Sequence, residues 1–359
     1  MAALPSAPAS LSFAGLRRPA VAGRCLERYR DVLKAWPTPK QLPIVYSPRY
    51  NITFLGLEKL HPFDSAKYEK IVKTLQKRGL FAKQQLVEPL EAPLEVLRDV
   101  HTDQYVANIH NSSLTVAQVT ELAPLAVLPV WLLRQRVVSP MRYHVSGTMA
   151  AAALAMQYGW AINLGGGMHH AFSATGSGWC PFDDIYLAIR RLRDSSQGEI
   201  QKVLYIDLDA HQGNGVERDK LLHQDENLFI IDVYNASVFP KDTEAKAGID
   251  ISVELRSGVD TATYMQRLQQ ALRDSLDRFK PHVIFYNAGT DVLVDDPLGL
   301  MMVDEAGVIA RDQAVWSFAL NDAQAPIVMT LSGGYAKRSA AVVADSVTAL
   351  LKKYHLTDL

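Results

Sequence analysis

From residue 43 onward, the hydrophobic positions alternate between two patterns. Short continuous apolar runs, partly β-branched or aromatic and bounded by Gly, Pro, Asn or Asp, fall at 44–46, 161–164, 203–208, 228–233, 283–286 and 327–331. Uninterrupted runs of this length predict strands covered on both faces. Between them, apolar residues recur at helical spacing over 148–158, 184–193, 260–279, 305–320 and 340–352. Ile185, Ala188, Ile189 and Leu192 share one helical face, as do Tyr264, Leu268, Leu272 and Leu276. Gly159 and Pro281 supply stop signals. This alternation predicts an α/β fold with one mostly parallel sheet and helices on both faces. No interior segment has the composition of a linker, so 41–356 read as a single domain. The apolar stretch 122–133 is short and broken by Pro124 and Pro129. It reads as buried loop and helix, and no membrane span is expected.

The first 40 residues depart from this pattern. Residues 1–26 contain no Asp or Glu, while Arg17, Arg18 and Arg24 sit among Ala, Ser and Pro. That is the composition of an organelle transit peptide, and also of a disordered N-terminal tail. On either reading, 1–40 stand outside the predicted fold. The composition of the whole chain, 48% hydrophobic and 21% charged, is that of a globular chain able to bury a large core. A net charge of -1 provides no basic field, so direct nucleic-acid binding is not expected. Cys25 and Cys180 form no paired framework, which points to a reducing compartment, and Cys180 reads as buried and inert.

Candidate chemistry clusters at the ends of the predicted strands, where open α/β sheets bind ligands. Gly165-Gly166-Gly167-Met168-His169-His170 follows one strand, and Asp207-Leu208-Asp209-Ala210-His211-Gln212-Gly213-Asn214-Gly215 spans the end of another. Asn287-Ala288-Gly289-Thr290-Asp291 and Ser332-Gly333-Gly334-Tyr335 follow two more. Asp209 and His211 stand two apart on an extended segment and point to one side. With Asp291 they form a three-ligand set that leaves a coordination position open, the pattern of a catalytic zinc. Asp-x-His alone is an ordinary loop pattern; its convergence with Asp291, His169, His170 and Tyr335 carries the reading. His169 and His170 are candidates for general base and acid, with Asp207 and Asn214 available to receive their ring N–H groups. Tyr335 is a candidate oxyanion donor. Trp179, in Gly176-Ser177-Gly178-Trp179-Cys180, is either a channel wall or a core aromatic.

Together these motifs resemble the zinc-dependent histone deacetylase family of the arginase–deacetylase fold. Pro43-Ile44-Val45-Tyr46-Ser47-Pro48-Arg49-Tyr50-Asn51-Ile52 and Gly56-Leu57-Glu58-Lys59-Leu60-His61-Pro62-Phe63-Asp64 resemble its class IV members in particular. The resemblance spans about residues 42–351. It implies Zn2+ on Asp209, His211 and Asp291, with His170 as general base and acid. His169 would be an electrostatic partner bonded to Asp207, and Tyr335 would polarise the scissile carbonyl. It further implies structural K+ near Asp207, Asp209, His211 and Asp232, and a channel walled by Gly178, Trp179 and Phe239. The implied activity is hydrolysis of N6-acyl-lysine amides, acetyl or longer, on histone tails or other proteins. Corepressor proteins are implied partners, and the implied location is nucleus and cytoplasm, against plastid or mitochondrion from the N-terminal composition. Two positions depart from the commonest pattern: Asn214 replaces Asp and Trp179 replaces Phe. A two-metal arginase-like site is disfavoured, because Gly213 and Leu293 occupy the positions where its additional carboxylates would fall. Deacetylation of polyamines, or a silent scaffold that binds acylated proteins, are the alternatives.

Overall fold

Each predicted apolar run forms a strand. They are β1 (Ile44–Val45), β2 (Trp160–Asn163), β3 (Val203–Asp207), β4 (Leu228–Asn235), β6 (Val283–Asn287) and β7 (Ile327–Thr330). The structure, a computed structural model, describes residues 11–53 and 56–357. Residues 1–10 of the predicted tail lie outside the described residues. With β5 (Ile251–Leu255) at one edge, the strands pair in parallel, in the order β1-β2-β7-β6-β3-β4-β5. Side chains alternate across the sheet: Tyr205 enters the core layer on one face, Leu204 and Ile206 the layer on the other. Helices Ser139–Tyr158 and Asp184–Ser196 cover the first face; Lys67–Lys77, Thr261–Arg278, Glu305–Ser317 and Ser339–Lys353 cover the second. The α/β architecture with helices on both faces is as the periodicity predicts.

Four details differ from the sequence reading. β5 (Ile251–Leu255) has no apolar run, because it is an edge strand whose Ser252 and Glu254 face solvent. The helix predicted over 148–158 begins at Ser139; its first half buries polar His144, Ser146 and Thr148, which an apolar pattern overlooks. The motif segment after β3 turns into a helix, Asn214–Leu222. In the stretch 122–133, Leu122, Leu125 and Leu133 are buried as expected, but Val127 and Trp131 are exposed.

The largest correction concerns the N-terminal segment. From Phe13 onward it belongs to the folded domain. Phe13 packs edge-on against Trp316 and Tyr354, with ring centroids 5.2 and 5.3 Å away. Helix Pro19–Arg28 buries Val21, Ala22 and Cys25 against the helices at 139–158 and 184–196. Arg24, one of the arginines behind the transit-like composition, donates to Ser196 O (2.9 Å) and pairs with Glu199 (2.5 Å). The apolar face of this helix is made mainly of Ala, Val and Cys, and so gives a weak periodic signal.

Candidate active site

The sheet positions the site through its topology. The chain leaves β3 toward β4 and β5 on one side, then returns to β6 and β7 on the other. The crevice at this reversal lies beyond the carboxyl ends of β3 and β6, the expected ligand position. Asp209 and His211 follow β3, and Asp291 follows β6. All three are buried, and one ligating atom from each lies within 4.8 Å of the others. His211 Nδ1 stands 2.8 Å from Asp291 Oδ2 and 3.1 Å from Asp209 Oδ1. Asp209 Oδ2 accepts from Ser332 Oγ (2.9 Å) and Gly333 N–H (3.0 Å); Asp291 Oδ1 accepts from Ala210 N–H (2.8 Å). A Cβ on Gly333 would stand 2.5 Å from Asp209 Oδ2 and 2.9 Å from Asp291 Oδ2, so only glycine lets the backbone approach both carboxylates.

Without a cation, these buried groups distribute protons among themselves. Burial disfavours the charge on His211, but the flanking Asp209 and Asp291 outweigh it and raise its pKa well above the usual imidazole range. Asp291, buried and facing Asp209, is raised to about 7. One imidazole and two carboxylates, desolvated and converging, form a donor set that suits Zn2+.

His169 and His170 lie side by side, but their surroundings differ. His169 Nδ1 is 2.8 Å from Asp207 Oδ2, which also accepts from Tyr205 Oη (2.6 Å). Burial opposes the His169 charge, yet Asp207 and Asp209 prevail and raise its pKa to about 9. His170 Nδ1 faces Asn214 Oδ1 at 2.9 Å. Asn214 Nδ2 donates to Asp242 (3.1 Å), which Arg218 grips through two bonds at 2.6 and 2.8 Å. That orientation turns the amide oxygen toward His170, so its Nδ1 carries the proton and Nε2 is left to accept one. Burial, with the charges on His169 and His211, holds the His170 pKa well below the usual imidazole value. Two adjacent imidazoles are thus set apart by their surroundings, carboxylates around His169 and a neutral amide with neighbouring positive charges around His170.

Tyr335 is held by its backbone: its N–H donates to Asp296 Oδ2 at 2.7 Å. Its ring lies 5.9 Å from the His211 ring. Burial, then the charges of Asp209 and Asp291, push its hydroxyl pKa well above the usual range, so it stays a donor. Gly178 has φ +54°, and a Cβ there would come within 2.7 Å of His170 Cδ2. Trp179 is both of its alternatives at once, packed in the core and lining the cavity beside Tyr335 and His170. Phe239 is 45% exposed, at the mouth, 5.0 Å from the His170 ring. Asp232 lies apart from the three ligands, in register with Asp207 on the next strand, and accepts from Gly213 N–H (2.9 Å). Cys180 is buried, as expected.

Several further residues shape the site and were not among the candidates read from the sequence. Asp184 holds the glycine-histidine loop through the N–H groups of Gly167 (3.0 Å) and Met168 (2.7 Å). Asn287 donates to Asp207 (3.1 Å) and Ser332 (3.0 Å). His61, Phe63 and Glu121 border the cavity and its mouth. The mouth, about 340 Å³, opens between Phe239, Leu298, Leu300 and Glu121. Asn287 lies inside a quoted motif, as His61 and Phe63 lie inside the segment 56–64, and all three were within reach of sequence reasoning; Asp184 and Asp296 act through backbone contacts that leave no pattern.

A parallel sheet that delivers two carboxylates, an imidazole, two further histidines and a tyrosine to one buried crevice has the arginase–deacetylase architecture. A solved acetylpolyamine aminohydrolase from Burkholderia pseudomallei shares this fold, with a TM-score of 0.65 at 18% identity over 86% of this chain and 98% of its own. Residues 61–351 match the histone deacetylase domain family. Histone deacetylase 2 of Arabidopsis thaliana is 45% identical over 317 residues, 87% of this chain and 79% of its own. Human histone deacetylase 1 is 27% identical over 296 residues, 78% of this chain and 58% of its own. The chain belongs to the histone deacetylase family.

Proposed function

We propose that the protein hydrolyses N6-acyl-lysine amides on histone tails or other proteins, with Zn2+ held by Asp209, His211 and Asp291. The observation that carries this is the convergence of the buried ligand triad with His170 and Tyr335 around one cavity. Bound there, zinc would act as a Lewis acid on the amide carbonyl and acidify water. The chain's own residues do the rest. His170 Nε2 takes the water proton and passes it to the departing lysine amine. Charged His169, anchored on Asp207, favours the negative charge that develops on the carbonyl oxygen, to which the Tyr335 hydroxyl donates. Trp179, Phe63 and Gly178 enclose the path to that centre.

The cavity at the site is about 40 Å³, room for a few water molecules. This favours acetyl over longer acyl groups, unless Met141 and Met168 in its lining shift aside. A K+ ion near Asp207, Asp209, His211 and Asp232 is part of the same reading, with Asp232 buried beside Asp207 and Glu217. The segments 43–52 and 56–64 support class IV membership. Corepressor proteins are the proposed partners, and nucleus and cytoplasm the proposed location. Cleavage after residue 26 would remove Val21, Ala22 and Cys25 from the core, so an organelle import signal would have to end before Phe13.

Glu121 at the mouth, paired with His61 at 3.4 Å, supports deacetylation of small acylated polyamines as a second reading. The deciding experiment is zinc-loaded protein with acetyl-, octanoyl- and myristoyl-lysine peptides and N-acetylated polyamines. Release of lysine that disappears in Asp209→Ala is expected. Turnover of the polyamines alone would transfer the assignment to the second reading, and no turnover of any substrate would sink both.

A further inference from the structure

Two buried ions of opposite charge flank the turn that carries Tyr335, and neither touches the ligand triad. Lys67, at the start of helix Lys67–Lys77, is 1% exposed. Its ammonium donates to Ser332 O (2.6 Å) and Gly333 O (2.8 Å) and lies 5.1 Å from the centroid of the Phe63 ring. Asp296 is 3% exposed and accepts four backbone N–H groups. Oδ2 takes Tyr335 (2.7 Å) and Ala336 (3.0 Å), and Oδ1 takes Leu298 and Gly299, both at 3.0 Å. Burying a lone lysine and a lone aspartate is costly unless each is fully hydrogen-bonded. Here the partners are main-chain groups of one short turn, whose Ser332 adopts φ +45°, a conformation that must be held. The Asp296 carboxylate also ties that turn to Leu298 and Gly299, next to Pro297, Leu298 and Leu300 of the channel mouth.

We infer that Lys67 and Asp296 are positioning residues. They clamp the Ser332–Gly333 and Tyr335–Ala336 peptides from opposite sides and so set where the Tyr335 hydroxyl stands, and Asp296 makes the mouth segment and the Tyr335 turn a single unit. This rests on the proposed role of Tyr335 in acyl-lysine hydrolysis. A donor displaced by an ångström forfeits roughly a hundredfold in rate, so the clamp acts on kcat.

The test combines Lys67→Met, which keeps length and removes the charge, Lys67→Arg, which keeps donors, and Asp296→Asn, whose Nδ2 opposes two of the four N–H groups. Hydrogen exchange read at peptides covering residues 330–338 reports the clamp without reference to activity. Faster exchange there in Lys67→Met and Asp296→Asn, with the rest of the sheet unchanged, is expected. In kinetics, Lys67→Met should lower kcat about 10- to 100-fold at nearly constant KM, and Lys67→Arg should recover most of that. In a Tyr335→Phe background, itself slowed about 10²–10³-fold, Lys67→Met should cost less than about twofold more. Asp296→Asn should change KM as well, because it frees the mouth. Unchanged exchange at 330–338, or the same kcat penalty with and without the Tyr335 hydroxyl, overturns the inference. If Lys67→Met does not fold, exchange and kinetics of Lys67→Arg and Asp296→Asn decide it. An inactive wild-type protein refutes the proposed reaction, and the exchange result still decides the clamp.

Discussion

At the scale of single residues, the site works through differences between chemically similar neighbours. His169 and His170 are adjacent imidazoles, yet one is raised to about 9 and the other held well below its usual value. Burial disfavours the charge on both; the Asp207 and Asp209 carboxylates outweigh it at His169, whereas His170 faces the neutral Asn214 and is repelled by the charges on His169 and His211. A general base must be neutral to accept a proton, and activity should therefore persist as pH falls until His170 is protonated. Replacing Asn214 with Asp adds a negative charge beside Nδ1, with Arg218 offsetting its repulsion from Asp242. The acid limb of the pH–rate profile should move upward by about 1 unit. An unmoved limb in Asn214→Asp would assign the base elsewhere.

At the scale of elements, the loops that carry the histidines are fixed by buried acids on the helices around them. Asp183, capping helix Asp184–Ser196, lies within hydrogen-bonding reach of Asp219 on helix Asn214–Leu222. Asp219 in turn accepts from Ser173 N–H (2.9 Å) and Oγ (2.5 Å) in the loop after His170. Burial, and for Asp183 the charge of Asp219, raise both above the ordinary 3.8. Two acids that prefer to be protonated in the fold support it fully below that ordinary value, and the support declines as pH rises through their raised values. Asp219→Asn keeps the acceptor for Ser173 and offers Asp183 a donor. It should raise stability by about 1 kcal/mol near pH 8 and by less at pH 5, measured as Tm at both values; a loss at pH 8 would refute the shared-proton arrangement. Helix Pro19–Arg28 is the second case. Val21 is fully buried, so Val21→Asp should cost about 3 kcal/mol or more in urea unfolding. A change within about 0.5 kcal/mol would return this segment to a dispensable tail.

At the scale of the whole molecule, the sheet's reversal between β3 and β6 brings together ligands more than eighty positions apart in sequence, Asp209 and Asp291. A cation there would neutralise two buried carboxylates, so its removal should be felt in stability as well as in turnover. Chelation should abolish hydrolysis and lower the Tm, and added Zn2+ should restore both. At a metal concentration a thousandfold above Kd, the binding contributes about 4 kcal/mol. Retained activity and an unchanged Tm after complete chelation would rule out a metal at this triad.

How much of this was legible in the sequence depended on whether a residue acts through a local pattern. The apolar runs of β3, β4, β6 and β7 mark doubly covered strands by themselves, because a strand buried on both faces alternates no solvent-facing polar positions into its run. The glycine-bounded His, Asp and Tyr motifs at their ends likewise mark the proposed catalytic set, since strand ends converge in any open parallel sheet. The edge strand β5, half exposed, and helix Pro19–Arg28, small-residued and rich in arginine, carry no such pattern, and only packing assigns them to the domain. Lys67, Asp184 and Asp296 were beyond sequence reasoning for a related reason: they bind main-chain N–H and C=O groups, which every residue possesses, so nothing in the identity of their partners announces the contact. Side-chain chemistry and periodicity were determined by the sequence alone; which backbone groups each buried charge would satisfy was decided by the tertiary structure, because that depends on distances the chain acquires only when folded.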